Sequence, residues 1–543
     1  MITVLVVAIL SGRLLSTYVT KVYTQAPSRL DSILNPVEKQ IYRLVGVDPA
    51  KGMGWKDYFF AALVVNIFQM IIAFNIFVFQ GSLPLNPQGF PGLSLDLAFM
   101  QVISFATNTN LQHYQGEASL SYLSQMSAVQ FLQFTSAATG ICVAVAMIRG
   151  FVARSNDLGN FYVDFTRSLT RILFPLCFIS AIVFVGLGVP QTLYGYQTVT
   201  TIEGTTQTIL VGPVASLVSI MQLGTNGGGY YGSNSAYPFQ NPNPASDIFQ
   251  IFLMLLIPTA LCFVFGELIG RRKETRPILW GAYGLFALDL LISFSANIPA
   301  LGPGMEVRFG GFFSTFWTVV TTAVTTGSVN ASLSGMHPLV ILSAFNGMLI
   351  QATPGGKGIG VMYMVMFIIL TVFIVGLMSG RTPEYLGMKV TSRDVKLVMV
   401  AFLIHPVIIL IPTVLAYATG AAGVIGIGQN STGFTQILYE YTSAASNNGS
   451  DFLGATANTP FFNVSTGLVM LVGRFVPIGL LLALGGSMLN RKRMLTGAGV
   501  RTDSLIFSIV LVGSILVLVL LTFFPFLALG PILEFFQGRV NGF

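Results

Sequence analysis

Charge is what this chain has least of. Asp, Glu, Lys and Arg together make up 9% of its 543 residues, against 53% hydrophobic residues and a mean hydropathy of +0.75. Soluble domains carry about 25% charged residues, so an aqueous globular fold is excluded and an integral membrane protein is expected. Histidine and cysteine are equally scarce, three of each. Cys142, Cys177 and Cys262 lie in apolar runs without paired spacing, which argues against a disulfide framework or a metal cluster. His113, His337 and His405 are scattered and read as structural. A haem or quinone carrier, which needs paired membrane histidines or clustered carboxylates, is therefore disfavoured. Also missing is a Gly-x-x-x-x-Gly-Lys-[Ser/Thr] loop. Gly355-Gly356-Lys357 is too short and wrongly flanked to cradle phosphates, so no nucleotide is expected to bind this chain and it is not an enzyme on its own.

The net charge of +7 does not point to nucleic acid, because its placement reports topology. Of 27 Lys and Arg, 23 fall in five short stretches: Arg13 to Lys56, Arg149 to Arg171, Arg271 to Arg276, Arg381 to Lys396 and Arg491 to Arg501. Long segments nearly free of basic residues alternate with them. Basic residues concentrate on the cytoplasmic side of membrane proteins, which places the five stretches inside. About 20 apolar residues span a bilayer. Runs near Met1–Thr20, Tyr58–Phe79, Ser127–Gly150, Ile172–Val189, Phe249–Ile269, Ile278–Ser295, Pro338–Met378, Leu397–Ala418, Thr466–Leu489 and Leu505–Leu529 give ten crossings with both termini outside. The first run lacks a basic leader and a cleavage site, and reads as a retained helix. The seventh is over-long and interrupted by Thr353-Pro-Gly-Gly-Lys-Gly-Ile-Gly360, which predicts one broken crossing.

Between the paired runs one polar pattern recurs four times: Thr107-Asn108-Thr109-Asn110, Thr225-Asn226-Gly227-Gly228, Thr326-Gly327-Ser328-Val329 and Asn447-Asn448-Gly449-Ser450. Asn108, Gly227, Gly327 and Gly449, taken as anchors, lie 119, 100 and 122 residues apart. A short amphipathic stretch precedes each: Asp96–Ser104, Ala215–Leu223, Phe313–Val320 and Gly433–Tyr441. Each is too short to cross and fits a re-entrant half-helix whose C-terminus, carrying partial negative charge, favours a cation. Irregular backbone at membrane depth is tolerated where it lines a wet path, and rings of carbonyls replace an ion's hydration shell in cation channels. The fold expected is all-α and polytopic, four helix–half-helix–filter loop–helix repeats in a pseudo-fourfold pore. Its divisions are 1–56 (first helix and loop), 57–150, 151–270, 271–380 and 381–490 (the repeats), and 491–543 (loop and last helix).

Within this pore, Thr107, Asn108, Thr109, Thr225, Asn226, Gly227, Thr326, Gly327, Ser328, Asn447, Asn448 and Gly449 are the candidate cation ligands. Asn110, Gln112, Gly228, Asn234 and Asn330 are expected to brace them. The absence of carboxylates from the tetrads favours potassium or sodium over calcium or magnesium. Arg474, inside the ninth run, would cost at least ~2.5 kcal/mol unpaired in lipid and reads as a positive plug below the filter. Lys357, with Gly355, Gly356 and Gly358 in the broken helix, reads as a gate there. Glu117 and Asp451 are candidates to concentrate cations at the outer mouth, and Glu440 to make a local hydrogen bond.

Phe105-Ala-Thr-Asn-Thr-Asn-Leu-Gln112, Gly224-Thr-Asn-Gly-Gly-Gly229, Val320-Thr-Thr-Ala323 and Ala444-Ala-Ser-Asn-Asn-Gly-Ser450 resemble the filter segments of KdpA, the potassium-binding component of the bacterial Kdp potassium-transporting ATPase. Pro84-Leu-Asn-Pro87, Ile257-Pro-Thr-Ala-Leu-Cys-Phe263, Gly380-Arg-Thr-Pro-Glu-Tyr-Leu-Gly387 and Ala528-Leu-Gly-Pro531 are similar to other landmarks of that family. Leu111 and Gln351 depart from it, standing where relatives often carry tryptophan and an acidic residue. The resemblance implies a ten-helix potassium transporter of the bacterial inner membrane, with potassium as its bound substrate. Its implied partners are the catalytic P-type ATPase subunit of the Kdp complex, one accessory subunit and a small single-helix subunit, with membrane lipid around it. A stand-alone Trk/Ktr-type translocator is the alternative. Energetics favour the ATP-driven complex. A potential of 100 mV supplies roughly 2.3 kcal/mol per charge, whereas uptake against a ratio of about ten thousand requires roughly 5.5 kcal/mol.

Overall fold

A computed structural model describes residues 1–28, 30–152, 157–356, 358–489, 491–493 and 500–540. Among them are ten helices long and apolar enough to cross a bilayer. Helix α1 (Ile2–Tyr23) is followed by the amphipathic α2 (Asp31–Val45). The first repeat comprises α3 (Trp55–Phe79), half-helix α4 (Leu95–Ala106) and α5 (Tyr122–Arg149). The second comprises α6 (Phe161–Gly186), half-helix α7 (Val214–Leu223) and α8 (Pro244–Leu268). The third comprises α9 (Thr275–Phe294), half-helix α10 (Gly310–Ala323) and the broken pair α11 (Pro338–Ile350) and α12 (Ile359–Met378). The fourth comprises α13 (Ser392–Ala418), half-helix α14 (Ser431–Ala445) and α15 (Pro460–Leu489), and α16 (Leu505–Leu527) completes the crossings. Two short hairpins, Gln197–Thr200 with Thr206–Ile209 and Glu384–Tyr385 with Met388–Lys389, lie in connecting loops.

Each half-helix packs on the long helices of its own repeat, α4 on α3, α7 on α6 and α8, α10 on α9 and α11, and α14 on α13 and α15. The outer helices α1 and α16 lean on α8 and α9. Helix α5 is buried on nearly every side, while α1, α3 and α16 turn most of their apolar surface outward, as helices facing lipid do. Polarity is arranged the other way: Thr, Ser, Asn and Gln side chains gather in the buried centre.

The interrupted run is one broken crossing, as its Pro/Gly cluster predicts. Before α11, the His337 ring packs on Phe535, beyond the C-terminal end of α16. After α12, the Glu384–Lys389 hairpin meets the opposite end, where Tyr385 packs on Phe151 and Arg491 donates to the Lys389 carbonyl at 2.5 Å. The fourth crossing differs from its expected start at Ile172. Helix α6 begins at Phe161, because the charges in its first turns find partners in neighbouring elements. Asp164 accepts from Arg149 at 2.5 Å, and Arg171 donates to Asp31 and Glu38 of α2, both at 2.5 Å. Arg308, just before half-helix α10, is also bound, to the carbonyls of Asn241 and Ala236.

Close helix packing fixes the half-helices. A β-carbon on Gly473 of α15 would lie 2.3 Å from the carbonyl oxygen of Ala445, the last residue of α14. Substituting Gly473→Val is therefore expected to part α14 from α15 and lower stability by about 1–3 kcal/mol. The thermal midpoint of the purified protein reads this, and an unchanged midpoint would count against the contact.

Candidate functional site

All four half-helices end in the same backbone device. One residue past the cap, Asn108, Thr225, Thr325 and Asn447 take left-handed φ of 62°, 47°, 45° and 52°. The next residue then folds back, and its N–H meets a carbonyl in the last turn. These bonds are Thr109 to Ser104 (2.9 Å), Asn226 to Met221 (2.7 Å), Thr326 to Thr321 (2.7 Å) and Asn448 to Ser443 (2.9 Å). This is the Schellman cap that satisfies a helix's orphan carbonyls. Glycine normally holds its left-handed position, and a threonine there costs about 1–3 kcal/mol. Four non-glycine residues accept that strain.

The caps give the register of the repeats. Asn108 is equivalent to Thr225, Thr325 and Asn447. The residue matching Gly227, Gly327 and Gly449 is Asn110, two positions beyond the expected anchor. Pairing loops by glycine misplaced the first, because its left-handed φ of 60° at that position is held by asparagine. Thr325, absent from the sequence candidates, belongs to the ring. Counting from the last helical residue finds it, whereas a Thr-Gly pattern does not. The family-like segment Val320–Ala323 lies inside α10 and not in its loop.

Hydrogen bonds close the loops into a ring. Asn108 Nδ2 donates to the Thr225 carbonyl at 2.9 Å, joining the first loop to the second. Ser328 Oγ donates to Gln222 Oε1 at 3.1 Å, joining the third to the second half-helix. Asn448 Nδ2 donates to the Thr321 carbonyl at 3.1 Å, joining the fourth to the third. Asn447 Nδ2 donates to Thr109 Oγ1 at 2.9 Å and returns to the first. Thr107 Oγ1 and Thr109 Oγ1 lie 2.8 Å apart within the first loop.

The ring is narrow. A β-carbon on Gly227 would lie 2.5 Å from the carbonyl oxygen of Thr109 and 2.8 Å from that of Asn448. One on Gly327 would lie 2.0 Å from the Asn448 oxygen, and one on Gly449 2.0 Å from the Thr109 oxygen. Glycine is required at these positions because main-chain oxygens of other loops occupy the space. With φ of 90° and 105°, Gly327 and Gly449 also adopt backbone that side chains rarely tolerate.

Around this centre the expected braces divide. Gln112 exchanges two hydrogen bonds with the backbone of Gly229, at 3.0 and 3.1 Å. The Gly228 carbonyl accepts from Gln133 at 2.8 Å, and Asn234 donates to the Gly227 carbonyl at 3.0 Å. Asn330 ties its loop to Asp247 of α8 at 3.0 Å. Asn110 is different: it is fully buried, and among the described residues neither amide atom has a partner. It does not brace; it faces a cavity of about 250 Å³ outside the ring, whose walls also carry Asn234, Gly327, Gly449 and Asp451.

Asp451 thus lines the same cavity as Asn110, where burial, with Glu440 nearby, pushes its carboxyl well above the usual range. Glu117, expected beside it, is not among the residues that line this cavity. It is buried and accepts from the Gly232 N–H at 2.7 Å, linking the first two loops. Nor is the Glu440 bond local. Its Oε1 lies 3.0 Å from His113 Nε2, and His113 Nδ1 lies 2.7 Å from Asn463 of α15, so this histidine fastens the first loop to the fourth repeat. Trp317 Nε1 likewise holds the Ser328 carbonyl at 2.7 Å. The ties of Glu117 and His113 join residues distant in sequence and carry no local motif.

Below the ring, the break between α11 and α12 presses on the caps. Gly355 N–H donates to the Ala323 carbonyl at 3.0 Å, and a β-carbon on Gly356 would lie 2.3 Å from Thr325 Oγ1 and 3.1 Å from Thr225 Oγ1. Gly358 abuts the Gly140 carbonyl of α5. Lys357, the expected gate, lies outside the described residues. Arg474 is buried to 2% exposure beside Gly473, the residue packed under the end of α14. Its Nη2 donates to the Ser136 carbonyl at 3.1 Å; its Nη1 has no partner among the described residues.

The family model described as "KdpA: Potassium-transporting ATPase A subunit" matches residues 2–536. A potassium-transporting ATPase potassium-binding subunit from Alicyclobacillus acidocaldarius is 45% identical, over 96% of each chain. The crystal structure of the potassium transporter TrkH from Vibrio parahaemolyticus aligns with a TM-score of 0.52, covering 88% of this chain and 97% of that one. At 17% identity that likeness is one of fold.

Asn448 gives this arrangement a direct test of stability. Its Oδ1 accepts from the Ser450 N–H at 3.0 Å while its Nδ2 holds Thr321. Substituting Asn448→Leu leaves the buried Ser450 N–H unpaired and is expected to cost about 1–3 kcal/mol, read as a fall in thermal midpoint. An unchanged midpoint would show that the fourth loop is held by other contacts.

Proposed function

Because the chain belongs to the KdpA family of potassium-transporting ATPases, we propose that its four capped loops form the potassium-selective site of an ATP-driven uptake complex. The observation that carries this reading is the ring itself, in which main-chain oxygens from different loops converge within a glycine's width. A potassium ion entering it exchanges hydration for neutral oxygens of Thr109, Asn226, Thr326 and Asn448, and of the residues flanking them. Each half-helix adds partial negative charge at its C-terminus, worth about half an elementary charge. The absence of carboxylates from the ring keeps binding selective for a monovalent ion.

Ions enter through the outer cavity, where Asn110 and Asp451 are the first polar groups met. Arg474 and the Gly355–Gly358 break, with Lys357, block direct passage inward, so that the ion leaves only when a partner opens a route. The chain itself binds no nucleotide. ATP hydrolysis belongs to the catalytic P-type ATPase subunit, and one accessory subunit and a single-helix subunit complete the complex. The complex sits in the bacterial inner membrane, with both termini of this chain outside and the repeats divided at residues 57, 151, 271 and 381. A stand-alone Trk/Ktr-type translocator shares the repeat fold but lacks support beyond it, since the family match covers nearly the whole chain.

Replacing Gly227 or Gly449 by valine drives a side chain into the oxygens of neighbouring loops. Each variant is expected to weaken potassium binding by about tenfold or more, measured as potassium-dependent thermal stabilisation of the purified protein. Wild-type affinity in both would overturn the filter. Arg474→Ala is expected to raise passive potassium flux into liposomes when no ATP is present. Flux equal to wild type would remove Arg474 from the pathway.

A further inference from the structure

At the basic end of the fold, α1, the end of α8 and the start of α9 enclose a cavity of about 420 Å³, remote from the four loops. Its walls carry Arg13 of α1 together with Arg272 and Lys273 of the α8–α9 turn and Arg276 in the first turn of α9, against one carboxylate, Glu267. That carboxylate is engaged by α1, accepting from Ser16 at 3.2 Å, Thr17 at 3.4 Å and Thr20 at 3.0 Å. Among the described residues none of the four cations belongs to an ion pair.

The position of Arg13 sharpens the point. Helices α1 and α8 run parallel, Gly12 abutting Thr259 and Ser16 bonding Glu267. Arg13 therefore sits near the middle of a 22-residue apolar helix, with its side chain in this cavity. An arginine at that depth is stable when its guanidinium reaches toward the interface and finds an anion. The cavity's lip is apolar and turned outward, Leu14 being 78% and Trp280 59% exposed. Tryptophan at such a lip is typical of the headgroup level.

We infer that this cavity binds an anionic phospholipid, its phosphodiester held among Arg13, Arg272, Lys273 and Arg276 and its acyl chains lying along Leu14 and Trp280. Charge complementarity selects an anion, and the apolar lip selects one that carries hydrocarbon. An acidic segment of a soluble protein meets the first requirement and not the second. Basic recesses between membrane helices on the cytoplasmic side are suited to such headgroups.

The test is native mass spectrometry of the full-length protein in detergent, with equal phosphatidylglycerol and phosphatidylcholine added. The wild type is expected to retain phosphatidylglycerol over phosphatidylcholine by about tenfold or more. The Arg272→Gln/Lys273→Gln/Arg276→Gln variant is expected to lose that preference, and Arg13→Gln, on the opposite wall, to reduce it. Removing three cations elsewhere at the basic end, by Arg381→Gln/Arg393→Gln/Lys396→Gln, is expected to leave it intact. Glycerophosphoglycerol, the headgroup without chains, is expected not to displace the lipid. Equal retention of both lipids by the wild type would overturn the proposal. So would an unaltered preference in the first variant, an equal loss in the distant one, or displacement by the chainless headgroup, which marks a site for anions alone.

Discussion

Inside a membrane no water is at hand to satisfy a main-chain carbonyl, and this fold is organised around where such carbonyls are left. A helix that crosses completely leaves its unpaired ends in the headgroups. Helices α4, α7, α10 and α14 stop part-way, so the carbonyls of four last turns must be resolved at depth. The Schellman caps resolve some of them internally, through Thr109, Asn226, Thr326 and Asn448. The carbonyls of Thr109 and Asn448 then reach the glycines of neighbouring loops, Gly227, Gly327 and Gly449. Long helices, glycine contacts and cross-repeat amides are what hold four such ends within reach of one another.

That constraint explains the strain at the caps. Glycine at the left-handed position would relieve it, yet the ring carries Asn, Thr, Thr and Asn there. Asn108 and Asn447 use their amides to bond the neighbouring loop, and Thr225 and Thr325 direct hydroxyls toward Gly356 of the broken helix. A strained residue persists where its surroundings over-determine it. Here the side chain that causes the strain also supplies the contact that fixes it. The glycines fall two residues later, where a side chain would collide with a carbonyl of another loop.

Much of this was legible in the sequence, because it rests on hydrophobic periodicity and on residues with strong backbone preferences. The ten crossings, the four half-helices and the break at Pro354 follow from apolar run lengths and from Pro/Gly punctuation. The register of the first loop did not follow, since asparagine at 110 does in left-handed backbone what glycine does elsewhere. Thr325 was hidden for the same reason. The start of the fourth crossing, Glu117 and Glu440 were misjudged because the partners involved, Glu38 for Arg171, Gly232 and His113, lie far away in sequence. No local pattern encodes a bond across three hundred residues.

A single chain with four unequal repeats also has a freedom that a symmetric tetramer lacks. Around a true fourfold axis every change is made four times, so one residue cannot be adjusted alone. Here three positions of a layer are glycine and the fourth is Asn110, buried and with its amide unpartnered among the described residues. A polar group left so costs about 1–3 kcal/mol, a cost that a ligand drawn to its carbonyl oxygen would offset. If the ring is the proposed potassium site, one asymmetric amide at this face would favour occupancy there over the deeper layers. Passage through a channel needs several sites of similar affinity, so that ions displace one another. On the proposed reading, a ring with one preferred site would suit holding an ion over conducting a stream of them, and Arg474 as a plug would act in the same direction.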